Sequence, residues 1–233
     1  MKDVLFARPE LGSHEGLSYA LFLPEDEPHG GVLILHGAGS AKESHYDFAR
    51  LARERGLAAL AYDARGHGRS DGELGDAAVT DALAMSVLLH RHTPRVAVRG
   101  SSMGAACAIL AAAAADGAIG AVVAICPATE DLLLRGLRAG RLEGFRADVE
   151  RLEQWLQAVS VEDAAASLAP RTALMLMHAR GDEQVPYTIS ERLYAVAGEP
   201  KRLLLLPGGH HRSLQHDMEM QNESLRFIER ALG

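Results

Sequence analysis

The feature that most constrains this fold is an alternation of short apolar runs with longer segments of helical spacing. The apolar runs end at Asp, Arg, Cys-Pro, His or Pro and occupy residues 31–35, 57–62, 96–98, 121–125, 173–177 and 203–206. Such runs are typical of parallel strands that are buried on both faces. The helical segments between or after them are residues 43–55, 76–91, 103–116, 187–197 and 213–231. The alternation predicts an α/β protein with right-handed crossovers and helices on both faces of a mostly parallel sheet.

Two segments depart from this alternation. Residues 17–22 predict an antiparallel edge hairpin with residues 2–7. Residues 131–170 separate two strands by more than one crossover helix needs. Apolar residues recur there at helical spacing, which predicts an amphipathic helix: Phe145, Val149, Leu152, Leu156 and Val159, with Trp155 beside them. This insertion is either a small lid over a site at the carboxyl ends of the strands or a plain covering helix.

Length, charge and cysteine content limit the number of domains and the kinds of partner that we expect. A chain of 233 residues predicts one domain with one core. The 24 basic and 31 acidic residues give a net charge of −7, which opposes binding to nucleic acid or to an anionic membrane. The first residues contain no long apolar stretch, so we expect neither a secretory signal nor a membrane span, and a cytoplasmic location. Cys107 and Cys126 lie in apolar runs, which favours buried free thiols over a disulfide.

The strongest motif is Gly100-Ser101-Ser102-Met103-Gly104, which ends a predicted strand and opens an alanine-rich helical segment. A serine hydroxyl is a weak nucleophile, and a sharp strand-to-helix turn exposes it beside a base. Ser102 has a glycine at both two-residue offsets, whereas the neighbouring Ser101 does not. We therefore predict Ser102 as the nucleophile and the Met103 amide, at the helix start, as an oxyanion donor.

A second oxyanion donor and an acid are expected in loops after other strands. Residues 36–40, His-Gly-Ala-Gly-Ser, form a small-residue loop whose Ala38 amide is our candidate donor, although an ordinary glycine turn would look the same. Asp182 and Glu183 follow a later strand. Asp182 is preferred because it follows a turn glycine and because a short carboxylate orients an imidazole with little lost freedom. The alternative role for Asp182 is to cap the helix that begins near Pro186.

The base is expected in residues 206–213, between the final strand and the final helix. This loop contains two adjacent histidines, His210 and His211, and only one of them can contact both the nucleophile and the acid. The chain order of serine, aspartate and histidine is that of a known hydrolase fold.

Two readings from other classes remain beside the serine hydrolase. A metal-dependent hydrolase would use His210, His211 and His216, with Asp217 as a further ligand, but no HExxH or HxH arrangement joins them. A binding protein without catalysis is the third reading.

In five segments the chain resembles the α/β-hydrolases, in particular their small esterase and dienelactone-hydrolase-like members. The segments are residues 36–40, 63–70, 100–104, 181–186 and 207–211. The resemblance implies an α/β-hydrolase fold, with a mostly parallel, doubly covered sheet of about seven to eight strands and a small helical lid insertion. It favours His211, four positions after Pro207, as the base, and it implies a structural role for His67. Ser102 stands where dienelactone hydrolases have cysteine and where dehalogenases and epoxide hydrolases have aspartate.

These observations predict a carboxylesterase that cleaves small-molecule esters through an acyl-enzyme, without a metal or an organic cofactor. Thioesterase, acyltransferase and peptidase activities use the same machinery and remain alternatives. We expect one domain over residues 1–233 with a small lid insertion at 131–165, and the sequence leaves the oligomeric state open. The assigned residues are Ser102, Asp182 and His211 for catalysis, Ala38 and Met103 for the oxyanion hole, and Leu132, Leu133 and Trp155 for the substrate pocket.

Overall fold

The computed structural model of the protein describes residues 8–233, and one eight-stranded sheet runs through them. The strands are β1 (Glu10–His14), β2 (Leu17–Phe22), β3 (Gly30–Leu35), β4 (Leu57–Tyr62), β5 (Val96–Ser101), β6 (Ile119–Ile125), β7 (Ala173–Ala179) and β8 (Lys201–Leu206). Their order in the sheet is β1-β2-β4-β3-β5-β6-β7-β8, and β3 to β8 are parallel. The α/β class and the expected number of strands are therefore confirmed.

The antiparallel edge is formed by β1 and β2. Strand β2 pairs with β1 on one side and with β4 on the other, antiparallel in both cases. Glu15 and Gly16 connect β1 to β2 with φ values of 51° and 79°, and two positive φ values are typical of a tight hairpin turn. The predicted hairpin thus exists, but β1 is its partner strand, and residues 2–7 lie outside the described part of the chain.

Helices cover both faces of the sheet because its strands are apolar on both sides. The helices are α1 (Tyr46–Glu54, after a 3-10 turn at Lys42–His45), α2 (Ala78–Leu89), α3 (Met103–Ala114), α4 (Glu130–Arg138), α5 (Val149–Ala158), α6 (Val161–Ser167), α7 (Thr188–Val196), α8 (Ser213–His216) and α9 (Met218–Leu232). Along β6, Val122 and Ala124 pack into the core beneath α2, α3, α6 and α7. Val123 and Ile125 pack on the opposite side, beneath α1, α8 and α9.

The long connection between β6 and β7 contains α4, α5 and α6. The predicted amphipathic helix is confirmed as α5, which begins where the Asp148 side chain accepts a hydrogen bond from the Arg151 amide. Leu152 and Leu156 form its buried face, as the spacing predicts, whereas Val149 is exposed and Phe145 and Val159 lie outside the helix. Helix α6 packs against α3, whereas α4 packs against α5.

The segment between α4 and α5 is attached to the loop after β4. Phe145 stacks on the His67 ring with centroids 4.4 Å apart and 14° between the ring planes. The Leu74 amide donates to the Arg146 carbonyl at 2.9 Å. These contacts bring residues 139–148 to the carboxyl edge of the sheet.

The structure of residues 8–233 tests two further expectations, on the cysteines and on membrane-spanning helices. Cys107 and Cys126 are both free and buried, which confirms the prediction of core thiols. Within those residues, no helix combines the length and the apolar character that crossing a bilayer requires.

Candidate active site

Ser102 occupies a strained turn between β5 and α3. Its φ of 53° and ψ of −120° are unfavourable for a residue with a side chain and must be imposed by the surroundings. The Ser102 amide donates to the Ile125 carbonyl at 2.9 Å, and the Ser102 carbonyl accepts from the Ala105 amide at 3.0 Å. The backbone of the predicted nucleophile is therefore fixed between a neighbouring strand and the first turn of a helix.

The glycines on either side of Ser102 are required by close backbone packing. A Cβ atom on Gly104 would collide with the carbonyl oxygens of Leu35 and His36, because α3 begins directly against the end of β3. A Cβ atom on Gly100 would collide with the Gly104 carbonyl. Glycine is therefore needed on both sides of Ser102, because the turn leaves no room for a side chain at either position.

The two adjacent serines differ in exposure. The Ser101 residue is only 6% exposed, whereas Ser102 is half-buried. Both serines line a cavity of about 340 Å³ together with Ala38 and His211. Ser102 is therefore the more accessible hydroxyl of the pair at this edge of the sheet.

His211 and Asp182 form a hydrogen-bonded pair beside this cavity. Nδ1 of His211 lies 2.7 Å from Oδ2 of Asp182, and the two side chains are 10% and 0% exposed. A carboxylate can only accept, so Nδ1 carries the hydrogen and Nε2 of a neutral His211 is left as the proton acceptor. The structure therefore joins His211 to Asp182 in the tautomer that a general base requires.

Asp182 is stabilised as an anion by several donors. Its Oδ1 accepts from the backbone amides of Gln184 and Val185, both at 2.8 Å. Burial by itself raises the pKa of Asp182, but hydrogen bonds from His178, His211 and these amides outweigh burial and hold the pKa well below its usual value. Asp182 is thus a permanent negative charge beneath the imidazole.

His178 is a contact of Asp182 that the sequence interpretation missed. Its side chain is fully buried, with Nε2 3.3 Å from Oδ2 of Asp182 and 3.0 Å from the Val185 carbonyl. Nδ1 lies 2.7 Å from the Ser190 hydroxyl. Both neighbours of Nε2 are acceptors, so this nitrogen carries the hydrogen. His178 therefore donates to Asp182 from within the protein interior. The only signal in the sequence was a polar residue directly after the predicted strand that precedes Asp182.

The neighbouring histidines point elsewhere. His210 is exposed, and its Nδ1 accepts from the Arg212 amide at 3.3 Å. Nδ1 of His216 lies 3.1 Å from Asp47, on the first turn of α1. The histidines of the alternative metal site therefore do not converge. Within residues 8–233, three potential metal ligands come together at Cys126, Asp182 and His211.

Ser102 and His211 face the same cavity without a direct bond. No hydrogen bond joins the Ser102 hydroxyl to His211 in the described residues, although both side chains line the 340 Å³ cavity. Hydrogen bonds of catalytic groups are often long in ligand-free proteins and shorten when substrate binds.

The loop after β3 approaches Ser102 closely. A Cβ atom on Gly37 would lie 3.2 Å from Cβ of Ser102, so a larger residue at this position would crowd the serine. The next residue, Ala38, lines the same cavity as Ser102. Met103 is the first residue of α3, where backbone amides have no partner within the helix. Both predicted oxyanion donors therefore belong to segments that border Ser102.

Two neutral histidines hold this loop in place. Nε2 of His36 accepts from the Ala64 amide at 3.0 Å, and Nε2 of His67 accepts from the Gly39 amide at 3.2 Å. Burial lowers the pKa of His36, and burial together with the nearby His36 ring lowers the pKa of His67 to about 4. Both rings are therefore neutral at pH 7 and act as fixed acceptors, which agrees with the structural role expected for His67.

A second cavity, of about 370 Å³, meets Ser102 from the side of α4. Leu132 and Leu133 line it, as predicted, together with Ala128, Leu142 and Val185. Trp155 lines neither of these two cavities; it is partly buried and packs against the core from α5.

Comparison with known families agrees with this geometry. A family model described as "Serine aminopeptidase, S33" matches residues 26–143, just over half of the chain. The matched region includes the loop after β3 and the turn that carries Ser102. The chain therefore belongs to this family of α/β hydrolases.

The curated relatives are longer proteins. YfhR of Escherichia coli O157:H7 is 27% identical over 220 residues, which cover 90% of this chain and 74% of YfhR. YqkD of Bacillus subtilis is 27% identical over 227 residues, which cover 91% of this chain and 73% of YqkD. Both names carry the description "uncharacterized protein" and give no activity.

Solved structures with the same fold include several esterases. A thermostable carboxyl esterase of Bacillus coagulans superposes with a TM-score of 0.78 at 14% identity, over 97% of this chain and 99% of the esterase. Est1E of Butyrivibrio proteoclasticus, solved with ferulic acid, gives 0.73 at 23% identity over 96% and 99% of the two chains. An esterase of Pyrococcus furiosus gives 0.74 at 22% identity over 100% and 94%. At these identities the likeness concerns the fold alone.

Proposed function

We propose that this protein is a serine carboxylesterase in which Ser102 is the nucleophile, His211 the general base and Asp182 the residue that orients the base. The observation that carries this proposal is the 2.7 Å bond between Nδ1 of His211 and Asp182, next to the cavity that His211 shares with Ser102. That bond leaves Nε2 of His211 free to accept a proton on the side of the serine.

In the proposed reaction, the Ser102 hydroxyl attacks the ester carbonyl as His211 takes its proton. The permanent negative charge of Asp182 stabilises the imidazolium that forms. His211 then gives the proton to the leaving alcohol, which leaves an acyl group on Ser102. A water molecule that the same His211 activates hydrolyses this acyl-enzyme and restores the serine.

The oxyanion of each tetrahedral intermediate would be bound by the amides of Ala38 and Met103. Support comes from the close approach of Gly37 to Ser102 and from the position of Met103 at the start of α3. One such donor contributes on the order of 3 kcal/mol to transition-state stabilisation. The neutral rings of His36 and His67 hold the loop that carries Ala38.

The two cavities that meet at Ser102 support small or medium ester substrates. The cavity beside Leu132 and Leu133 would receive the apolar part of the ester, and the cavity beside Ala38 the polar part. We also propose that residues 131–165 act as a small lid within one α/β domain, since Leu132, Leu133 and Leu142 belong to this segment and line the cavities at Ser102.

Esters are preferred over other substrates because the similar solved structures include a carboxyl esterase, a further esterase and Est1E with bound ferulic acid. The family description, a serine aminopeptidase, keeps peptide amides as the second candidate. Rates on p-nitrophenyl esters of graded acyl length, on a thioester and on an aminoacyl p-nitroanilide would separate these classes.

The decisive experiment compares Ser102→Ala with Ser101→Ala in p-nitrophenyl ester hydrolysis. Loss of the nucleophile should lower kcat on the order of 10⁶-fold, to the level of the oxyanion hole and binding alone. Ser101→Ala, the matched control at the neighbouring hydroxyl, should retain most activity. Wild-type turnover by Ser102→Ala would refute the assignment, as would failure of a fluorophosphonate to label the wild-type protein.

A further inference from the structure

Cys126 is a buried thiol at the carboxyl end of β6, close to the proposed catalytic pair. It is 1% exposed, and its amide donates to the Met177 carbonyl at 2.9 Å, which fixes it against β7. Its φ of 46° is unusual for a residue with a side chain. The ester mechanism assigns no step to this thiol.

The side chains of Cys126, Asp182 and His211 together form a set of metal ligands. The thiol sulfur, a carboxylate oxygen and a ring nitrogen all lie within 4.8 Å of one another. Ligands in a tetrahedral zinc site, at about 2.0–2.3 Å from the metal, lie roughly 3.3–3.8 Å apart. Shifts of about 1 Å or less per side chain would therefore bring all three atoms to bonding distance.

We propose that Cys126, Asp182 and His211 form an inhibitory binding site for a thiophilic divalent cation such as Zn²⁺ or Cd²⁺. Thiolate, imidazole and carboxylate are the donors that zinc prefers, and three protein ligands leave a fourth position for water. The binding itself follows from the geometry of the three side chains. Its effect on turnover rests on the proposed ester hydrolysis.

Binding exchanges one proton for the metal ion. The S–H bond of Cys126 breaks, its proton leaves to solvent, and a sulfur–metal bond forms. If the metal takes Nδ1 of His211, the ring proton moves to Nε2, which then has no lone pair for the Ser102 proton. If the metal takes Nε2, that lone pair is occupied directly. In both cases His211 stops acting as a base.

The burial of the thiol predicts how the inhibition develops. His211 lines the cavity that contains Ser102, whereas Cys126 is absent from its lining, so the imidazole must move before a cation reaches the sulfur. The loop before His211 contains two exposed glycines, which permit such a movement. Inhibition should therefore develop slowly, and a chelator should reverse it.

The binding experiment uses Cd²⁺, whose thiolate complexes absorb in the ultraviolet, and does not depend on any enzymatic activity. Titration of the chelator-treated wild-type protein should give a charge-transfer band that saturates at one ion per chain. Cys126→Ser should abolish the band, and Cys107→Ser, which removes the other buried thiol, should leave it intact. His211→Ala keeps the thiol and should weaken Cd²⁺ binding by at least about tenfold.

The activity experiment measures ester hydrolysis after preincubation with Zn²⁺. Wild-type protein and Cys107→Ser should lose activity with time and recover it with EDTA, while Cys126→Ser should be at least about tenfold less sensitive. Equal inhibition of Cys126→Ser and wild type would overturn the proposal, as would the absence of a Cd²⁺ band from the wild type. A Cd²⁺ band in a protein that hydrolyses no ester would leave the metal site standing and refute the esterase instead.

Discussion

Two buried aspartates lie near the carboxyl edge of the sheet, each with a histidine nearby, and they differ in their partners. Asp63 follows β4 and Asp182 follows β7, and both side chains are completely buried. Asp182 is bonded to an imidazole, His211, at 2.7 Å. Asp63 is bonded to the ammonium of Lys42 at 2.6 Å, and its neighbour His67 accepts from the Gly39 amide instead.

The difference separates the acid that we propose for catalysis from a structural one. The pKa of Asp63 is raised by burial, but bonds from the Arg69 amide and from Lys42 outweigh burial and lower it, as the donors around Asp182 do for that residue. The partner of Asp182 is an imidazole, a side chain that can serve as a general base, whereas the partner of Asp63 is an ammonium, which has no lone pair to accept a proton. Lys42 is 2% exposed and paired with Asp63, and this ion pair joins the loop after β3 to the loop after β4.

Among changes at the two aspartates and their partners, removal of the charge at Asp182 should have the largest effect. Asp182→Asn would present an amide to His211 and favour the wrong tautomer, so kcat for ester hydrolysis should fall about 10⁴-fold. Glu183→Gln is the matched control, because Glu183 is exposed and its carboxylate accepts from the His211 backbone amide and from the Gln184 side chain but makes no bond to the imidazole. A drop of the same size in Glu183→Gln would mean that the acid has been misassigned.

Removal of the cation at Asp63 should instead affect stability. Lys42→Met leaves a buried carboxylate without its counter-charge, and the free energy of unfolding should fall by about 3–5 kcal/mol in denaturant titrations. The double variant Lys42→Met/Asp63→Asn should recover part of this loss, because no buried charge is left unpaired. If Lys42→Met unfolded at the wild-type denaturant concentration, the ion pair would have no structural role.

The pH dependence of stability should distinguish His67 from Asp63. The pKa of His67 is about 4 in the folded protein against 6.5 for a free histidine, so the unfolded chain binds a proton that the folded chain does not. The stabilisation is complete above about pH 6.5 and is lost as the pH falls toward 4, by about 3 kcal/mol in total. The contribution of Asp63 is lost only at lower pH, below its free value of 3.8.

His67→Asn tests this window, since an amide oxygen can still accept from Gly39 but does not titrate. Its unfolding free energy should depend less steeply on pH between 6.5 and 4 than that of the wild type. His36 and His45 also have lowered pKa values and contribute to the pH dependence of both proteins. The difference between the wild-type slope and the His67→Asn slope therefore measures the contribution of His67. Identical slopes would show that His67 does not titrate in this range.

The smallest effect is expected at His178, which positions Asp182. His178→Phe removes the donor to Oδ2, and kcat should fall about tenfold with KM unchanged, since substrate does not contact this residue. His178→Gln keeps an N–H donor and should recover part of kcat. A change in KM with constant kcat would place His178 in substrate binding instead.

The sequence by itself determined the architecture and the strand-to-helix turn at Ser102. Both depend on short-range patterns: apolar runs long enough for buried strands, helical spacing between them, and glycines two residues to either side of Ser102. The amphipathic α5 and the two buried thiols followed from the same local information, whereas the number of strands followed from the resemblance to the α/β-hydrolases.

Only the tertiary structure decided which side chains meet. The sequence left His210 and His211 as alternatives, and the structure bonds the latter to Asp182, 29 residues away in the chain. His178 and Cys126 had no signal beyond polarity or a core position, because their contacts depend on how separate strands align. Trp155 is an aromatic residue of a kind often found in pockets, yet α5 packs so that its side chain contacts the core. Local sequence fixes periodicity and backbone turns, whereas contacts between distant loops depend on strand order and register, which no single segment encodes.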